Sequence, residues 1–467
     1  MSATSVQRRY LNPRLESLKK EDVKALQFVL LKRQLEHVAA SNPFYQELFR
    51  SHGVKLDRIR SLRDFQQAVP LIDKKTLMQD QQARPPYGTR LGIDERDIGQ
   101  VFVTSGTSGL GQENHAMTHQ DLEMSSSCFS YQCYWAGLLP GDRVFQTFPV
   151  ALQSGGVRGR RVMEKFGLNV FQVSIYDTHT KLDYMRRYSP HAFVAAPAYL
   201  TRLAAVCVEM GMEPRRDLPD LKTILITGGA YSVDWAQQMK TFWGVSLTEW
   251  YGSTQSGTSQ CFTCEDGVLH ADGRRGLMHN MDHRVLLEVV NPQTLEPVAE
   301  GEEGDAIVTS LFRKASPMIR FRTYDKVRYL PAGHCACGRP FDGIESGTVS
   351  RYDDMLKLRG VNTWPETIDA AVFSFPEVEE YAGRVFVSER GTEEVIVRVE
   401  LKPSLRPATQ DACGNLLQAI SALLRERTGL RMDVQEAAHE SLPRFTFKVR
   451  RWTDERQTDR KVVTYTE

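Results

Sequence analysis

Val101-Phe102-Val103-Thr104-Ser105-Gly106-Thr107-Ser108-Gly109 is the stretch from which the organisation of this chain can first be inferred. A short apolar run that suits a buried strand is followed at once by hydroxyl side chains and glycines. Glycine allows positive φ and close backbone approach, so such a loop can surround phosphate oxygens with hydroxyl and N–H groups. A flexible surface loop is the alternative, and no Gly-Lys-Ser/Thr follows that would make a Walker loop. The stretch therefore indicates a candidate phosphate site at the end of a strand.

Around this loop, apolar runs alternate with longer amphipathic stretches between residues 99 and 330. Strands are predicted at 101–103, 144–148, 168–173, 192–196 and 223–227, and helices at 199–210 and 233–242. Residues 15–52 are predicted to be helical, with the pattern ending at Asn42 and Pro43. The β-α-β alternation predicts an α/β fold with a mostly parallel sheet and covering helices.

The texture of the sequence changes after Gly276, where short predicted strands and turns dominate. A polar, turn-rich segment at 346–354 suits a domain boundary. Beyond it we predict helices at 365–373 and 410–428 and strands at 384–387, 394–401 and 432–437. The expected organisation is a large N-terminal domain of α/β sheets with a small β-barrel-like subdomain (1–350), followed by a small mobile α+β domain (351–467).

Composition excludes several classes of protein. The chain has 467 residues, with 59 Lys and Arg against 58 Asp and Glu, so no global field favours nucleic acid or an anionic membrane. The N-terminal 20 residues are polar and mixed in charge, and no apolar run approaches the roughly 20 residues that span a bilayer. We therefore expect a soluble cytoplasmic protein without nucleic-acid or membrane partners.

Four further motifs carry groups suited to nucleotide chemistry. They are Trp250-Tyr251-Gly252-Ser253-Thr254-Gln255, Arg320-Phe321-Arg322-Thr323-Tyr324-Asp325, residues 350–362, and residues 442–448. An aromatic residue, a glycine and hydroxyls at the end of a strand suit a nucleotide crevice, and an acidic residue can accept both hydroxyls of a ribose. Taken singly, the first motif is better explained by an ordinary turn after a strand, and a salt-bridged surface aspartate is the alternative for the second.

In this order and spacing the five motifs resemble the adenylate-forming superfamily, which includes acyl-CoA synthetases, peptide-synthetase adenylation domains and luciferases. The resemblance is strongest to the phenylacetate–CoA ligase branch. It starts at Asn42-Pro43-Phe44-Tyr45, continues to Leu442-Pro443-Arg444, and is most specific in residues 350–362.

The resemblance implies a role for each motif. The loop over the β- and γ-phosphates would consist of Thr104, Ser105, Gly106, Thr107, Ser108 and Gly109. The adenine and the acyl group would be flanked by Gly228, Gly229, Ala230, Tyr251 and Gly252, with Ser253 and Gln255 also in the nucleotide site. Thr254 would contact the α-phosphate, and Asp325, assisted by Arg351, would hold the ribose.

The resemblance also gives the C-terminal domain its chemistry. Lys448 resembles the lysine that bridges the carboxylate and the α-phosphate, where negative charge develops. Asp353 would be the hinge about which the domain rotates, and Lys357 would face the thiol acceptor after rotation. The implied reaction is ATP- and Mg²⁺-dependent adenylation of an acid followed by transfer to a thiol, with CoA as the expected acceptor.

Three positions depart from the family pattern. Leu110-Gly111-Gln112 stands where the loop usually has a basic residue, and Phe447 stands where the branch usually has glycine before the lysine. Gln255 replaces a glutamate that binds magnesium, and a neutral amide is a weaker ligand for this hard cation. These changes suggest a specialised, biosynthetic member.

Two cysteine pairs predict a structural zinc site. Of the eight cysteines, Cys261 and Cys264 form one close pair and Cys335 and Cys337 the other, a pattern that suits tetrahedral zinc. Four unpaired reduced cysteines are the alternative. The branch's Cys-x5-His and Cys-x-Cys spacing is matched by Cys264, His270, Cys335 and Cys337, and Cys261 could replace His270.

The resemblance places an acid-binding pocket on an aromatic-rich stretch. The expected pocket residues are Tyr131, Trp135, Phe148, Gln153, Ser154 and Gly155. An aromatic slot would favour a flat ring, although core packing is the better explanation of any single aromatic residue in this stretch.

We therefore expect an acid–thiol ligase acting on an aromatic acid, with CoA as acceptor. A carrier-protein thiol, an amine or nitrite are alternative acceptors, and a non-catalytic homologue that binds nucleotide or acid is an alternative of another class. Related ligases also suggest a possible homodimer.

Overall fold

The computed structural model describes residues 10–104, 111–150, 152, 154–351, 356–358, 361–363, 365–388, 392–443 and 451–456. The chain divides into two compact units. One comprises Met1–Gly229 and Ala236–Ser350, and the other comprises Ala230–Trp235 and Arg351–Glu467.

The helices follow in chain order. They are α1 (Pro13–Glu16), α2 (Lys20–Ser41), α3 (Pro43–Ser51), α4 (Leu62–Ala68), α5 (Lys74–Ala83), α6 (His119–Trp135), α7 (Ser154–Phe166), α8 (Thr178–Tyr188), α9 (Pro197–Glu209), α10 (Pro214–Asp217), α11 (Val233–Trp243), α12 (Pro365–Val372) and α13 (Gln410–Thr428). Short 3-10 turns lie at Leu56–Arg58 and Glu95–Asp97.

The strands of the first unit begin with the hairpin β1 (Ile98–Val103) and β2 (Asn114–Thr118). They continue with β3 (Arg143–Gln146), β4 (Asn169–Gln172), β5 (Ala192–Ala195), β6 (Thr223–Ile226), β7 (Ser246–Ser253), β8 (Thr258–Thr263), β9 (Leu277–Asn280), β10 (Val285–Val290), β11 (Glu303–Ser310), β12 (Phe321–Leu330) and β13 (Gly343–Glu345). The strand β14 (Ser350–Arg351) spans the boundary between the units.

The predicted N-terminal helical region consists of three helices. Asn42 ends α2 and caps α3, since its Oδ1 accepts a hydrogen bond from Tyr45 N at 3.3 Å, and Pro43 occupies the first helical position. The expected break at Asn42 and Pro43 is confirmed. Tyr45 and the apolar faces of α2 and α3 pack in one core with Val285, Val308 and Phe321.

The long sheet changes from parallel to antiparallel within one strand. Its order is β10-β11-β12-β13-β9-β8-β7-β6-β5-β3-β4. Ser246 to Glu249 of β7 pair in parallel with β6, whereas Trp250 to Ser253 pair antiparallel with β8. The carboxyl ends of the parallel strands therefore meet an antiparallel sheet, at the edge where α/β proteins bind ligands.

The β-rich region expected after Gly276 lies on this same path of paired strands. The strands β8 to β13 continue outward from β7, which pairs on both of its sides. The α/β class is as predicted, but this region extends the main sheet, because β7 is long enough to belong to both parts.

The second unit is built on a small mixed sheet. Its strands are β15 (Leu356–Leu358), β16 (Val361–Thr363), β17 (Val378–Val387), β18 (Glu393–Leu401), β19 (Asp433–Ala437) and β20 (Trp452–Asp454). The four-stranded order is β19-β18-β17-β20, and β15 and β16 form a separate hairpin. Residues of α12 and α13 such as Ile368 and Ile420 pack on buried β18 residues, including Val397. This arrangement is the predicted α+β architecture.

Within the described part of the chain, we find no helix with the length and apolar character needed to cross a membrane.

Tyr45 provides a test of the core. Its hydroxyl donates to Pro317 O at 3.1 Å and accepts from Ile319 N at 2.9 Å, so Tyr45→Phe leaves two buried backbone groups unpaired. We expect the free energy of unfolding to fall by about 1–3 kcal/mol, the usual penalty for such groups. Chemical denaturation measures the loss, and the exposed Tyr188→Phe serves as the control. Equal stability of the two variants would contradict this account.

Candidate active site

The centre of the candidate site is a contact between β7 and β12. Tyr251 OH donates a hydrogen bond of 2.7 Å to Asp325 Oδ2. Burial and the charge of Asp325 raise the pKa of Tyr251 well above its usual value, so the phenol remains a donor at neutral pH. The structure thus brings together two residues predicted for the nucleotide site from motifs more than 70 positions apart.

Asp325 is directed by an irregularity in β12. Lys326 pairs with Asp305 and Arg322 pairs with Ile307, so three residues of β12 lie opposite Ala306 alone. Thr323 Oγ1 donates to Ala306 O at 2.9 Å and accepts from Asp325 N at 3.0 Å. Between them, Tyr324 has a positive φ of 58°. Such a bulge turns a side chain out of the regular alternation of a strand, which suits a binding residue.

Thr254 lies in the turn that follows β7. Its Oγ1 is 2.9 Å from Ser154 Oγ at the start of α7, so the residue predicted for the α-phosphate touches the predicted acid pocket. Arg313 fixes this turn: Nη1 donates to Gln255 O at 2.7 Å, and Nη2 donates to Ala116 O at 3.2 Å. Burial lowers the pKa of Arg313 to about 10, so the guanidinium remains charged at neutral pH.

Glu113 links the glycine-rich segment to Gln255. Thr104 N donates to Glu113 O at 3.0 Å, and Glu113 N donates to Thr104 Oγ1 at 2.9 Å. These bonds join the two ends that flank residues 105–110. The Glu113 carboxylate also accepts a hydrogen bond of 2.6 Å from Gln255 Nε2. Thr104 and Gln255, predicted separately, are therefore connected through a residue that the sequence did not single out.

The remaining nucleotide-site predictions have different outcomes. Gly228 and Gly229 follow the carboxyl end of β6, and Ser253 ends β7, where its Oγ accepts from Ser256 N at 3.0 Å. Ala230 falls in the second unit, as do Arg351 and Lys357. The predicted residues Ser105, Gly106, Thr107, Ser108, Gly109, Gln153, Asp353 and Lys448 lie outside the described residues.

Only part of the predicted acid pocket is brought to Thr254. Ser154 and Gly155 open α7, and the ring of Phe148 lies 6.5 Å from the ring of Trp250, between centroids. Phe148 and Trp250 are both buried. They lie near the start of α7 and the turn after β7, and the assignment of Phe148 to the acid pocket stays a prediction.

The structure shows contacts of Tyr131 and Trp135 with residues away from Thr254, and their assignment to the pocket stays a prediction. Trp135 Nε1 donates to Glu16 Oε2 at 2.9 Å, and its ring lies 5.9 Å from that of His279. Tyr131 packs against Trp135 at 5.6 Å and against His283 at 5.8 Å. Helix α6 turns this face toward α1 and the β9 region, where both rings are buried.

A second cluster contains three cysteines and one histidine. The donor atoms of Cys264, His279, Cys335 and Cys337 all lie within 4.8 Å of one another, and the four residues are buried. Cys264 Sγ is 3.6 Å from Cys335 Sγ, and Cys337 Sγ is 3.3 Å from His279 Nε2. His279 Nδ1 lies 3.4 Å from Phe341 O, a contact that leaves Nε2 facing the sulfurs, the orientation of a metal-bound imidazole.

The chemistry of these donors fits a divalent cation. Hydrogen bonds from Cys264 and Cys335 hold the pKa of the Cys337 thiol far below its usual range, and the contact with Cys335 raises that of Cys264. Three sulfurs and one imidazole nitrogen are the ligand types that a tetrahedral cation such as zinc would take.

The histidine of this cluster is His279, whereas His270, the histidine predicted from the sequence, is not part of it. His270 belongs to the tight turn after Leu269, and its Nδ1 lies 3.8 Å from Asp266 Oδ2. Cys261, the alternative ligand, directs its Sγ to Asn280 Oδ1 at 3.7 Å. Cys261 is a residue of β8 whose side chain lies within the sheet core, whereas Cys264 follows the strand.

The sequence missed three residues on which these sites depend: Glu113, His279 and Arg313. Only Glu113 had a usable signal, an acidic residue four positions after Gly109 in a loop expected to hold phosphate. His279 has no spacing relation to the cysteine pairs, and Arg313 acts through backbone carbonyls that no motif encodes.

Comparisons with known proteins identify the family of the chain. The family model described as AMP-binding enzyme matches residues 29–310, and the model of the AMP-binding enzyme C-terminal domain matches residues 360–456. The chain belongs to the AMP-binding enzyme family, and the resemblance drawn from its motifs is confirmed.

Individual relatives are more distant. The chain is 28% identical over 421 residues to a phenylacetate-coenzyme A ligase of Thermus thermophilus, covering 89% of this chain and 90% of that protein. It is 26% identical over 441 residues to a phenylacetate-coenzyme A ligase of Escherichia coli, covering 92% and 94%. Its fold is similar to that of a 2-hydroxyisobutyryl-CoA ligase in complex with 2-HIB-AMP, with a TM-score of 0.87, 23% identity, and coverage of 96% and 93%.

Gly252 provides a test of the β7 geometry. A Cβ at this position would lie 2.4 Å from Ser259 Cα and 2.6 Å from Thr258 O, both backbone atoms of the neighbouring strand region. We expect Gly252→Ala to push β7 from β8 and to lower stability by about 1–3 kcal/mol, as overpacking does. Thermal unfolding checks this, with the exposed Ser246→Ala at the other end of β7 as control. An unchanged midpoint for Gly252→Ala would contradict the close approach.

Proposed function

We propose that this protein joins a carboxylic acid to AMP, using ATP, and then transfers the acyl group to the thiol of CoA. Membership of the AMP-binding enzyme family supports the adenylation step. The relatives named phenylacetate-coenzyme A ligase support an acid–CoA ligase. A solved fold neighbour described in complex with 2-HIB-AMP and CoA carries both groups that such a reaction needs.

One observation carries the proposal. Within β7 and the turn that follows it, Tyr251 contacts Asp325, Thr254 contacts Ser154, and Gln255 contacts Glu113. A single short segment therefore contacts Asp325, which is proposed to hold the ribose, and Ser154 of the proposed acid pocket. It also contacts Glu113, which joins the ends of the proposed phosphate loop. That proximity is what transfer between an acid and an α-phosphate requires.

In the first step, a carboxylate oxygen of the acid attacks the α-phosphorus of ATP. The bond from that phosphorus to the bridging oxygen breaks, and pyrophosphate leaves with the electron pair. Asp325 and Tyr251 would hold the nucleoside, and the Thr254 hydroxyl would orient the α-phosphate beside Ser154. Lys448 would place its ammonium where negative charge develops in the transition state.

In the second step, the sulfur of CoA attacks the acyl carbon of the adenylate. The bond from that carbon to the oxygen that bridges to phosphorus breaks, and AMP leaves with this oxygen and the electron pair. The thiol proton is released as the thioester forms. We assign rotation of the C-terminal domain (351–467) about Asp353 to this stage, with Arg351 near the nucleotide and Lys357 toward the thiol. Such a rotation removes Lys448 once its charge is no longer needed.

An aromatic acid is the proposed substrate class. Phe148 and Trp250 provide aromatic walls next to Ser154, whose hydroxyl could bind a polar group of the acid. Flat rings suit such a slot.

The proposal also includes a structural zinc ion held by Cys264, Cys335, Cys337 and His279. The support is the geometry of the buried donors, which leaves no position for a substrate and so favours a stabilising role. We further propose a cytoplasmic location, where ATP and CoA are available. A carrier-protein acceptor and a homodimer remain proposals to be tested by acceptor screening and by the mass in solution.

Pyrophosphate exchange tests the adenylation step. With an aromatic acid such as phenylacetate, we expect acid-dependent exchange of labelled pyrophosphate into ATP, and AMP release when CoA is added. Lys448→Ala should lower exchange about 10²- to 10³-fold, the effect of removing one preorganised electrostatic group. Lys402→Ala, an exposed lysine of the same unit, is the matched control.

Three outcomes would change this assignment. Exchange that survives unchanged in Lys448→Ala would disprove the role of that lysine. Turnover with a carrier-protein thiol, an amine or nitrite, but not with CoA, would replace the acceptor. No exchange across a panel of aromatic and aliphatic acids would favour the non-catalytic alternative.

The metal proposal predicts that zinc binding depends on His279. We expect His279→Gln to lower the zinc content measured by atomic emission and to lower the thermal midpoint, because a ligand of a buried metal is lost. His270→Gln, outside the cluster, should retain zinc. Loss of zinc from the His270 variant and retention in the His279 variant would reverse the assignment.

A further inference from the structure

Glu113 is a buried carboxylate that has no chemical role in the proposed reaction steps. Its side chain is 0% exposed, yet it stands one residue before β2 in the hairpin that carries Thr104. A buried carboxylate is stable only when its oxygens are satisfied by hydrogen bonds or by cations. The partners of its two oxygens therefore show whether either oxygen is available to a ligand.

The two carboxylate oxygens have unequal surroundings. Oε2 accepts hydrogen bonds from Gln255 Nε2 at 2.6 Å and from His115 Nε2 at 2.8 Å. Oε1 accepts no hydrogen bond within the described part of the chain, and Lys74 Nζ lies 3.9 Å from it, beyond hydrogen-bond distance. One oxygen of a charged group is thus left without a close partner at the end of the proposed phosphate loop.

Glu113 keeps its charge in this place. Burial acts to raise the pKa of Glu113, but contacts with His115, Lys74 and Gln255 outweigh it and lower the pKa. Burial lowers the pKa of His115 to about 4, so the imidazole is neutral at pH 7 and does not cancel the carboxylate charge. Arg90 and Arg313, which also face His115, help to keep it neutral.

The orientation of Gln255 follows from the same contact. Because its amide nitrogen donates to Glu113, its amide oxygen points away from that carboxylate. Arg313 holds the backbone of Gln255, so the side chain starts from a fixed position. Glutamine thus positions Glu113, while the carboxylate carries the charge that a hard cation prefers.

We propose that Glu113, through Oε1, is the protein ligand of the divalent cation that accompanies ATP, and that Gln255 holds this carboxylate in place. The inference rests on the proposed function, since it assumes that ATP phosphates bind beside Thr104. It assigns a negative ligand to a site where Gln255 alone offers only a neutral amide. Mg²⁺ takes one or two carboxylates together with phosphate oxygens, and Glu113 supplies one.

Metal binding can be measured without catalysis. Mn²⁺ titration followed by electron paramagnetic resonance, with a non-hydrolysable ATP analogue, reports the affinity for the metal–nucleotide pair. We expect Glu113→Gln to weaken Mn²⁺ binding about 10- to 100-fold, at least the loss seen when a supporting group of a metal site is removed. Glu123→Gln, an exposed carboxylate on α6 that pairs with Lys165, is the control and should bind as the wild type does.

Swapping the carboxylate and the amide between positions 113 and 255 distinguishes a metal-binding Glu113 from a purely structural one. Gln255→Glu alone adds a carboxylate and should tighten Mn²⁺ binding. The double variant Glu113→Gln with Gln255→Glu keeps one carboxylate and one amide in hydrogen-bond contact, so it should regain most of the lost affinity. A merely structural Glu113 would alter thermal stability in these variants but leave Mn²⁺ affinity constant, and that result would overturn the proposal.

The outcomes distinguish this inference from the proposed function. Normal acid-dependent exchange together with unchanged Mn²⁺ affinity in Glu113→Gln would overturn the metal assignment alone. Weakened Mn²⁺ binding in Glu113→Gln, in a protein that performs no exchange with any acid, would support the metal assignment and overturn adenylation. If Glu113→Gln does not fold, unchanged affinity in Gln255→Glu and in the double variant still refutes the assignment.

Discussion

A buried guanidinium, that of Arg313, joins the parts of the first unit that form the candidate active site. It donates to the carbonyl oxygens of Thr254 and Gln255 after β7 and to that of Ala116 on β2. Gly257 leaves room for it, since a Cβ there would lie 2.4 Å from Arg313 Cδ. Without this cation three backbone acceptors would lose a charged donor, and the turn after β7 would lose one of its links to the hairpin of Thr104, besides the bond between Gln255 and Glu113.

The position of that turn depends in turn on β7. The strand pairs in parallel on one side through its first half and antiparallel on the other side through its second half. Tyr251 lies just past the change, so its side chain reaches β12 rather than a neighbouring parallel strand. The antiparallel strands supply the acidic partner, and the parallel strands supply the crevice. Neither half of the sheet forms the site alone.

Much of the fold could be predicted from the sequence, because the periodicity of apolar residues and the residues that end helices and form turns are local signals. The run at 223–227 and the helix at 410–428 match β6 and α13 closely. The motif residues Tyr251 and Asp325 were also found, and they meet. Contacts between strands distant in sequence could not be predicted in this way. His279 reaches the cysteines only because β9 runs beside β8 and β13, and no local pattern indicates the bond from Trp135 to Glu16.

At Tyr324, the backbone conformation that directs the neighbouring side chain is not the conformation of lowest energy. A non-glycine residue with φ near 58° is in an unfavourable region, which costs on the order of 1 kcal/mol. Glycine or asparagine would relieve that penalty, yet the rigid bulge directs Asp325 toward Tyr251. Laboratory selection for thermal stability alone would thus favour substitutions at position 324 that weaken the proposed binding of the ribose. Stability and turnover must therefore be measured together in such variants.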